Sequence, residues 1–465
     1  MERMSQHTSA DVIVVGLGVA GESIGGQLAK AGLDVVGIES ELVGGECPYW
    51  GCIPSKMMIR AANLLAEARR IPGMAGSVSD ISPDWSPVAE RIRKEATDTW
   101  DDTVAVERFQ DAGGHFIRGQ AKILDTKRVE IDGQVIEARK ALVITTGTAA
   151  SIPPIPGLKD TPYWTNREAI ATETLPKSLL VIGAGAIGCE IGQTFARFGV
   201  DVTIADAADR VLPLEEPDSS KVIADVFEKE GIGVRVGLGI ERVEHSDNEF
   251  RVFTKDGGDP LVAEKLLIAT GRRARVDEQT LTSLGLSGKP GPLPVDDRLR
   301  VTDGVWAAGD VAGKGAFTHV ATYHADIVVR DILGQPGPAA QYHALPRVSF
   351  TDPEVGSVGL TESQAREQGI SVATGSAQTA SSSRGWIHKA GNEGFIKLVV
   401  DADQDIIVGA TSIGPCGGEV LSALSVAVHA RVPVSTLESM IYAYPTFHRG
   451  IQDAIRHLRA DQNGK

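Results

Sequence analysis

The sequence predicts an α/β protein with two Rossmann-like nucleotide-binding domains and a C-terminal α+β domain. Gly16-Leu-Gly18-Val-Ala-Gly21 follows a short apolar run, and Gly183-Ala-Gly185-Ala-Ile-Gly188 follows another. A G-x-G-x-x-G turn between a strand and a helix is the dinucleotide fingerprint. The last part of the chain orders strands before a helix, an α+β pattern.

Residues 11–15 read as a buried strand, followed by a helix to Lys30 and a second strand over 34–39. Gly16 permits the tight turn, Gly18 lets backbone approach a pyrophosphate, and Gly21 allows close helix packing. Glu39 ends the second strand, where a carboxylate can bind ribose hydroxyls. Cys47 and Cys52 come next, in Gly-Gly-Glu-Cys-Pro-Tyr-Trp-Gly-Cys-Ile-Pro-Ser-Lys. A helix then follows, with Met57, Ala61, Leu64, Leu65 and Ala68 on one face. The second βαβ unit starts at Ser178, with strands over 179–182 and 202–205 around Gly183, Gly185 and Gly188. Asp206 ends it. A carboxylate there accepts from an unphosphorylated ribose and repels a 2′-phosphate, so NADH is expected, with NADPH kept open by nearby Arg210.

Residues 266–271 echo residues 142–147, each a buried strand ending at a glycine turn. A first nucleotide domain, 1–155 and 275–340, is therefore expected to be interrupted by a second, 156–274. The linker signal Gly334-Gln-Pro-Gly-Pro338 precedes the last domain, 341–465, with strands over 395–400 and 406–413 and a helix over 418–430.

With 465 residues the chain is too long for one core. Its net charge of −15 argues against nucleic acid or an anionic membrane as partner. No apolar run spans a bilayer and the first residues lack a signal peptide's apolar region, so the cytoplasm is the expected location.

The four cysteines are too few for a disulfide scaffold, and a cytoplasmic disulfide is usually catalytic or redox-sensing. Zinc would need two more ligands of matching spacing, which the sequence lacks, so no metal site is expected. Cys47 and Cys52 are read as a redox-active pair, Cys52 lying just before a helix whose dipole favours a thiolate. Cys189 and Cys416 have no partner at suitable spacing and read as structural.

The chain strongly resembles the flavin-dependent pyridine nucleotide–disulfide oxidoreductases, such as dihydrolipoamide dehydrogenase, glutathione reductase and mercuric reductase. The carriers are the two fingerprints, the Cys47–Cys52 segment with Lys56, Thr145-Thr146-Gly147, Glu190, Ala269-Thr-Gly271-Arg272, Ala308-Gly-Asp310-Val and Pro346-Arg-Val-Ser-Phe-Thr-Asp-Pro-Glu354. The resemblance implies FAD in the first domain, a nicotinamide nucleotide in the second, and a homodimer formed through the last. It implies that Thr146, Gly147 and Gly271 lie at the cofactors and that Asp310 binds the ribityl chain. Lys56 and Glu190 would pair near the flavin's reactive edge, and His319 would open a helix whose positive end favours reduced flavin. Electrons would pass from nicotinamide through flavin to Cys52, and Cys47 would attack the substrate.

One segment departs from the disulfide-reductase pattern. Those enzymes carry His-Pro-Thr with a Glu shortly after, an oriented acid–base for the thiols. Here Tyr444-Pro-Thr-Phe-His448-Arg449 places a tyrosine and an arginine at those positions. A phenol, ordinarily titrating near ~10, is a poor base at neutral pH. Tyr444 is expected to close the pocket or donate a hydrogen bond, and His448, displaced from the required position, is kept as an alternative acid–base. Mercuric reductases also have tyrosine here, but with a C-terminal cysteine pair that this chain lacks. The expected function is electron transfer from NADH to a small acceptor such as a quinone or metal ion. A low-molecular-weight disulfide reductase and a flavin-bearing redox sensor remain alternatives.

Overall fold

The computed structural model describes residues 8–463. The chain forms two compact units. The first comprises residues 8–55, Ala89–Ser151 and Gly271–Gln341; the second comprises Lys56–Val88, Ile152–Thr270 and residues 342–463.

The first unit is built on an eight-stranded sheet. Its parallel centre runs Val305–Ala307, Gln134–Ile144, Ser9–Val15, Val35–Glu39 and His115–Arg118. Ser9–Val15 is covered on both faces. Val12 and Val14 pack with Ile24, Leu28 and Phe109, while Ile13 and Val15 pack with Val36, Ile38 and Leu142. That is why the strand reads as continuous apolar sequence rather than alternating. Helices Val19–Lys30, Thr103–Asp111 and Thr318–Ile332 contribute to the first of these clusters. Between them lies a less regular segment: a π-helix Ile92–Ala96, then a single turn Asp98–Trp100. All three residues of that turn are left-handed, at φ 47°, 61° and 56°. For non-glycine residues this costs roughly 1–2 kcal/mol each.

In the second unit, a four-stranded parallel sheet orders Gly233–Arg235, Asp201–Ala205, Ser178–Ile182 and Lys265–Ile268. A five-stranded antiparallel sheet orders Pro346–Ser349, Glu354–Gly359, Ile406–Gly414, Phe395–Asp401 and Val372–Gln378. Helices Gly417–His429 and Gly450–Asn463 pack on it through Leu421, Leu424, Ile455 and Leu458. Among the described residues, no helix is long and apolar enough to cross a membrane.

The helix Cys52–Arg70 forms as expected, but its buried side differs from the expected one. Met58, Ile59, Ala62 and Ala66 are buried, whereas Leu64 is 52% exposed. The sequence offers two apolar stripes at helical spacing, and periodicity alone does not choose between them.

Candidate active site

The two fingerprints fold alike. Gly16 has φ +94°, and a Cβ there would lie 2.5 Å from Thr145 O; at Gly21 it would lie 1.9 Å from Gly16 O. Only glycine fits either place. Gly183 and Gly188 repeat this against Ala269 O and Gly183 O, at 2.3 and 2.0 Å. The middle glycines differ in kind. A Cβ at Gly18 would meet only Gly45 Cα, at 3.9 Å, and at Gly185 nothing within 4 Å. Each caps a helix without a side-chain cap. Open space at an uncapped helix N-terminus suits a pyrophosphate.

The strand-end carboxylates are also matched. Leu17 N–H donates to Glu39 Oε2 (2.7 Å) and Glu41 N–H to Oε1 (2.7 Å). Ala184 N–H donates to Asp206 Oδ2 (2.5 Å) and Ala208 N–H to Oδ1 (2.7 Å). Each oxygen keeps a lone pair in hand for a ribose hydroxyl. Arg210 donates to Pro213 O (2.9 Å) and pairs with Asp209 (3.2 Å).

Asp310 lies in the short 3-10 turn Gly309–Ala312. Its Oδ2 accepts from Thr148 Oγ1 (2.7 Å), which in turn accepts from Arg272 Nε (2.8 Å). Strands Thr148–Ala150 and Arg272–Ala274 pair antiparallel, which brings the Thr146–Gly147 and Gly271 turns together. Arg275 N–H donates to Gly147 O (3.1 Å), and Thr146 Oγ1 to Arg275 O (3.2 Å). Thr148 and Arg272 fix the Asp310 carboxylate; a hydroxyl beside the Thr-Thr-Gly turn was the only sequence signal for the first. These residues fit FAD: an open pyrophosphate cradle, a ribose carboxylate and an oriented Asp310.

Gly309 N–H donates to Nδ1 of His324 (3.1 Å), an imidazole with no exposed surface. Burial, with a smaller contribution from Lys314, lowers its pKa to about 4. The unfolded chain, with the imidazole at its ordinary 6.5, therefore binds the extra proton first. Stability is complete above pH 6.5 and is lost as pH falls from 6.5 through 4, by about 3 kcal/mol at most. Urea melts of wild type and His324→Gln across this window are expected to show the acid slope flattened in the variant. An unchanged slope would assign it to other groups.

Cys47 lies in the one-turn helix Glu46–Trp50 and is half-buried; Cys52 opens the next helix and is exposed. Cys52 Sγ is 3.4 Å from Thr318 Oγ1, the first residue of the helix Thr318–Ile332. The dipole of that helix supports a thiolate at Cys52, and its first turn also carries His319, whose ring stacks on Phe317 at 5.1 Å. The sequence reading named His319 and missed Thr318; a helix opening on a hydroxyl was the available signal.

Lys56 Nζ lies 2.8 Å from Glu190 Oε2 and 4.5 Å from the centre of the Phe350 ring. Phe350 N–H donates to the other Glu190 oxygen (2.8 Å). Glu190 is 7% exposed while the Lys56 side chain is 35% exposed, so the carboxylate is the desolvated partner, and its two bonds fix its geometry.

Tyr444 is 67% exposed, its ring 5.4 Å from the Arg449 guanidinium. His448 is half-buried, 6.2 Å from the Tyr442 ring, just before the helix Gly450–Asn463. Cys189 is buried, donates to Ala184 O (3.3 Å) and has its pKa raised by desolvation, which fits a packing role. Cys416 is exposed, which corrects the structural role expected for it: it lies in the turn before a helix, outside the core.

Two dinucleotide cradles, a cysteine pair at a helix N-terminus and a Lys56–Glu190 pair with a buried carboxylate define a flavin- and nicotinamide-dependent oxidoreductase. The family model for pyridine nucleotide-disulphide oxidoreductases matches residues 10–325, and the model for their dimerisation domain matches residues 345–455. The chain belongs to the pyridine nucleotide-disulphide oxidoreductases, FAD-dependent enzymes that use NAD(P)H. It is 32% identical to a mercuric reductase of Bacillus cereus, over 96% of this chain and 71% of that one. It is 30% identical to a dihydrolipoyl dehydrogenase of Haloarcula marismortui, over 98% of each. A solved relative is the Cu(II) complex of RclA, an HOCl-induced flavoprotein disulfide reductase from Escherichia coli. It has a TM-score of 0.84 and 27% identity, over 96% of this chain and 99% of that one.

Proposed function

We propose that this enzyme acts as a homodimer and passes electrons from NADH to a small acceptor, a quinone or a metal ion, rather than to a disulfide. The observation that carries this is Tyr444 with Arg449, where disulfide reductases of the family have an oriented acid–base pair. The exposure of Tyr444 suits a residue that closes a pocket. FAD, when bound, supplies a two-electron carrier between nicotinamide and thiols. Asp206 selects an unphosphorylated ribose, Glu190 holds the Lys56 charge in place, and the helix opening at Thr318 supports a thiolate at Cys52. Cys47 is the thiol left to meet a metal-ion acceptor, whereas a quinone would be reduced directly, without the thiols. A metal-ion acceptor draws support from the likeness to RclA, whose Cu(II) complex is known.

The dihydrolipoyl dehydrogenase likeness, at 98% mutual coverage, favours a second reading: a disulfide reductase in which water or His448 moves the proton. A redox sensor with negligible turnover fits poorly with two complete nucleotide cradles.

Anaerobic titration with NADH, followed by absorbance, is expected to give a long-wavelength charge-transfer band between the Cys52 thiolate and the bound flavin. Cys52→Ser should abolish the band yet retain NADH oxidation with menadione. Loss of both together would show that the thiols are obligatory and count against direct transfer to a quinone. Negligible menadione turnover in wild type would favour the sensor.

A further inference from the structure

We propose that Trp100 is a positioning residue for the dithiol, bracing the turn between Cys47 and Cys52 through its stack on Trp50. This rests on the reading of Cys47 and Cys52 as a redox pair.

Trp50 lies between the two cysteines, two residues before Cys52. Its ring stacks on that of Trp100 at 5.2 Å between centroids and 21° between planes. Trp100 is presented by the left-handed turn Asp98–Trp100, whose middle residue Thr99 has φ 61° and ψ 33°. Three consecutive non-glycine residues in this region persist only where their surroundings hold them there. Those surroundings are visible on both sides. Thr97, 1% exposed, donates to Ile92 O (3.0 Å) at the start of the π-helix and accepts from Trp100 N–H (3.4 Å). Asp102 Oδ2 accepts from Val43 N–H (2.7 Å) and from Arg118 Nη2 (2.5 Å). The loop 97–102 thus grips the cysteine segment twice, at Val43 before Cys47 and at Trp50 before Cys52.

Trp100 Nε1 is buried with no hydrogen-bond partner among the described residues. A π-helix followed by a left-handed turn is a costly way to deliver one aromatic ring, and both features recur at functional sites. What the ring touches is the short link that sets how far apart the two sulfurs sit. Restricting that link raises the effective concentration of one thiol at the other and so favours the disulfide.

The test uses the flavin-loaded enzyme and Trp100→Leu, which keeps an apolar side chain and removes stacking, with Trp100→Phe as the conservative rescue. The first readout is the far-ultraviolet exciton couplet of two stacked indoles, expected in wild type and absent from both variants. The second is the Cys47–Cys52 dithiol–disulfide equilibrium against a glutathione redox buffer, quenched by alkylation and read by mass. In that exchange two protein thiols become one disulfide as one oxidised glutathione becomes two reduced molecules. Trp100→Leu is expected to lower the constant for disulfide formation about tenfold, the scale of one aromatic pair, or ~30 mV for a two-electron couple. Trp100→Phe should recover most of it. Trp100→Leu without the couplet but with a wild-type constant would reduce the stack to packing and overturn the proposal. Should Trp100→Leu fail to fold, Trp50→Leu removes the same stack from its other side and must move the constant in the same direction; no shift overturns the proposal. Wild type that forms no Cys47–Cys52 disulfide would sink the redox reading itself. A normal wild-type disulfide indifferent to Trp100 would sink only this inference.

Discussion

The double variant Tyr444→His, Arg449→Glu is expected to raise lipoamide turnover by about 10²–10⁴-fold, the usual worth of a positioned general acid–base. The imidazole would occupy the place where disulfide reductases of the family keep theirs, and the carboxylate would orient it. The local cost is small. Tyr444 is mostly exposed, and its described side-chain contact is the Arg449 guanidinium, so little packing is lost. The introduced carboxylate would precede the helix Gly450–Asn463, where a negative charge is favoured, although it would face Asp453, now 3.7 Å from Arg449. Arg456, 2.9 Å from Asp453, offsets that repulsion. The assay compares dihydrolipoamide and menadione turnover in wild type and variant. The proposal predicts slow wild-type lipoamide turnover, a large gain in the variant, and menadione turnover little changed. If wild type is already fast with lipoamide and the variant leaves it so, the quinone or metal-ion reading is wrong and the disulfide-reductase reading stands.

How much of this was legible in the sequence depends on how local each feature is. Both fingerprints could be read because their spacing is local and the third glycine of each answers to the first, Gly21 to Gly16 and Gly188 to Gly183, although the first glycines themselves meet the distant Thr145 and Ala269. The Lys56–Glu190 pair spans 134 residues and came only from family likeness, not from any pattern in the chain. The inward face of Cys52–Arg70 was misread because neighbouring structure, absent from a periodicity count, selects Met58, Ile59, Ala62 and Ala66 over Leu64. The left-handed turn at Trp100 gave no signal, since glycine or asparagine normally marks such a place and Asp98-Thr99-Trp100 holds neither. His324 carried no sequence signal, since its burial and the bond it accepts from Gly309 exist only in the fold.

Arg197→Met is expected to destabilise the second unit by about 3–5 kcal/mol, the cost of breaking a buried ion pair from one side. Arg197 is 3% exposed and donates to Glu230 Oε1 (2.6 Å) and Oε2 (3.0 Å), to Asn63 Oδ1 (2.6 Å) and to Asp352 Oδ2 (2.8 Å). Asp352 keeps a second cation in Arg70, at 2.7 Å, so Glu230 is the group left most exposed to the loss. The effect should also reach the Lys56 site. Glu190, Gln193 and Arg197 share one face of the helix Ala186–Arg197, and each binds the segment 350–352. Glu190 accepts from Phe350 N–H, Gln193 bonds both backbone groups of Asp352 at 2.8 Å, and Arg197 takes its carboxylate. Lys56, Asn63 and Arg70, seven residues apart along the helix Cys52–Arg70, meet the same set from the other side. Removing Arg197 releases one end of this seam, and Phe350, held two residues from Asp352, is then free to shift beneath Lys56. A thermal melt reads the stability. The seam itself is read by a double-mutant cycle of Arg197→Met with Glu190→Gln, sites on one helix face joined through the 350–352 segment. Independent residues would add; a coupling above about 0.5 kcal/mol is expected if they hold that segment together. Strict additivity would confine Arg197 to local stability and leave Glu190 and Phe350 to fix Lys56 unaided.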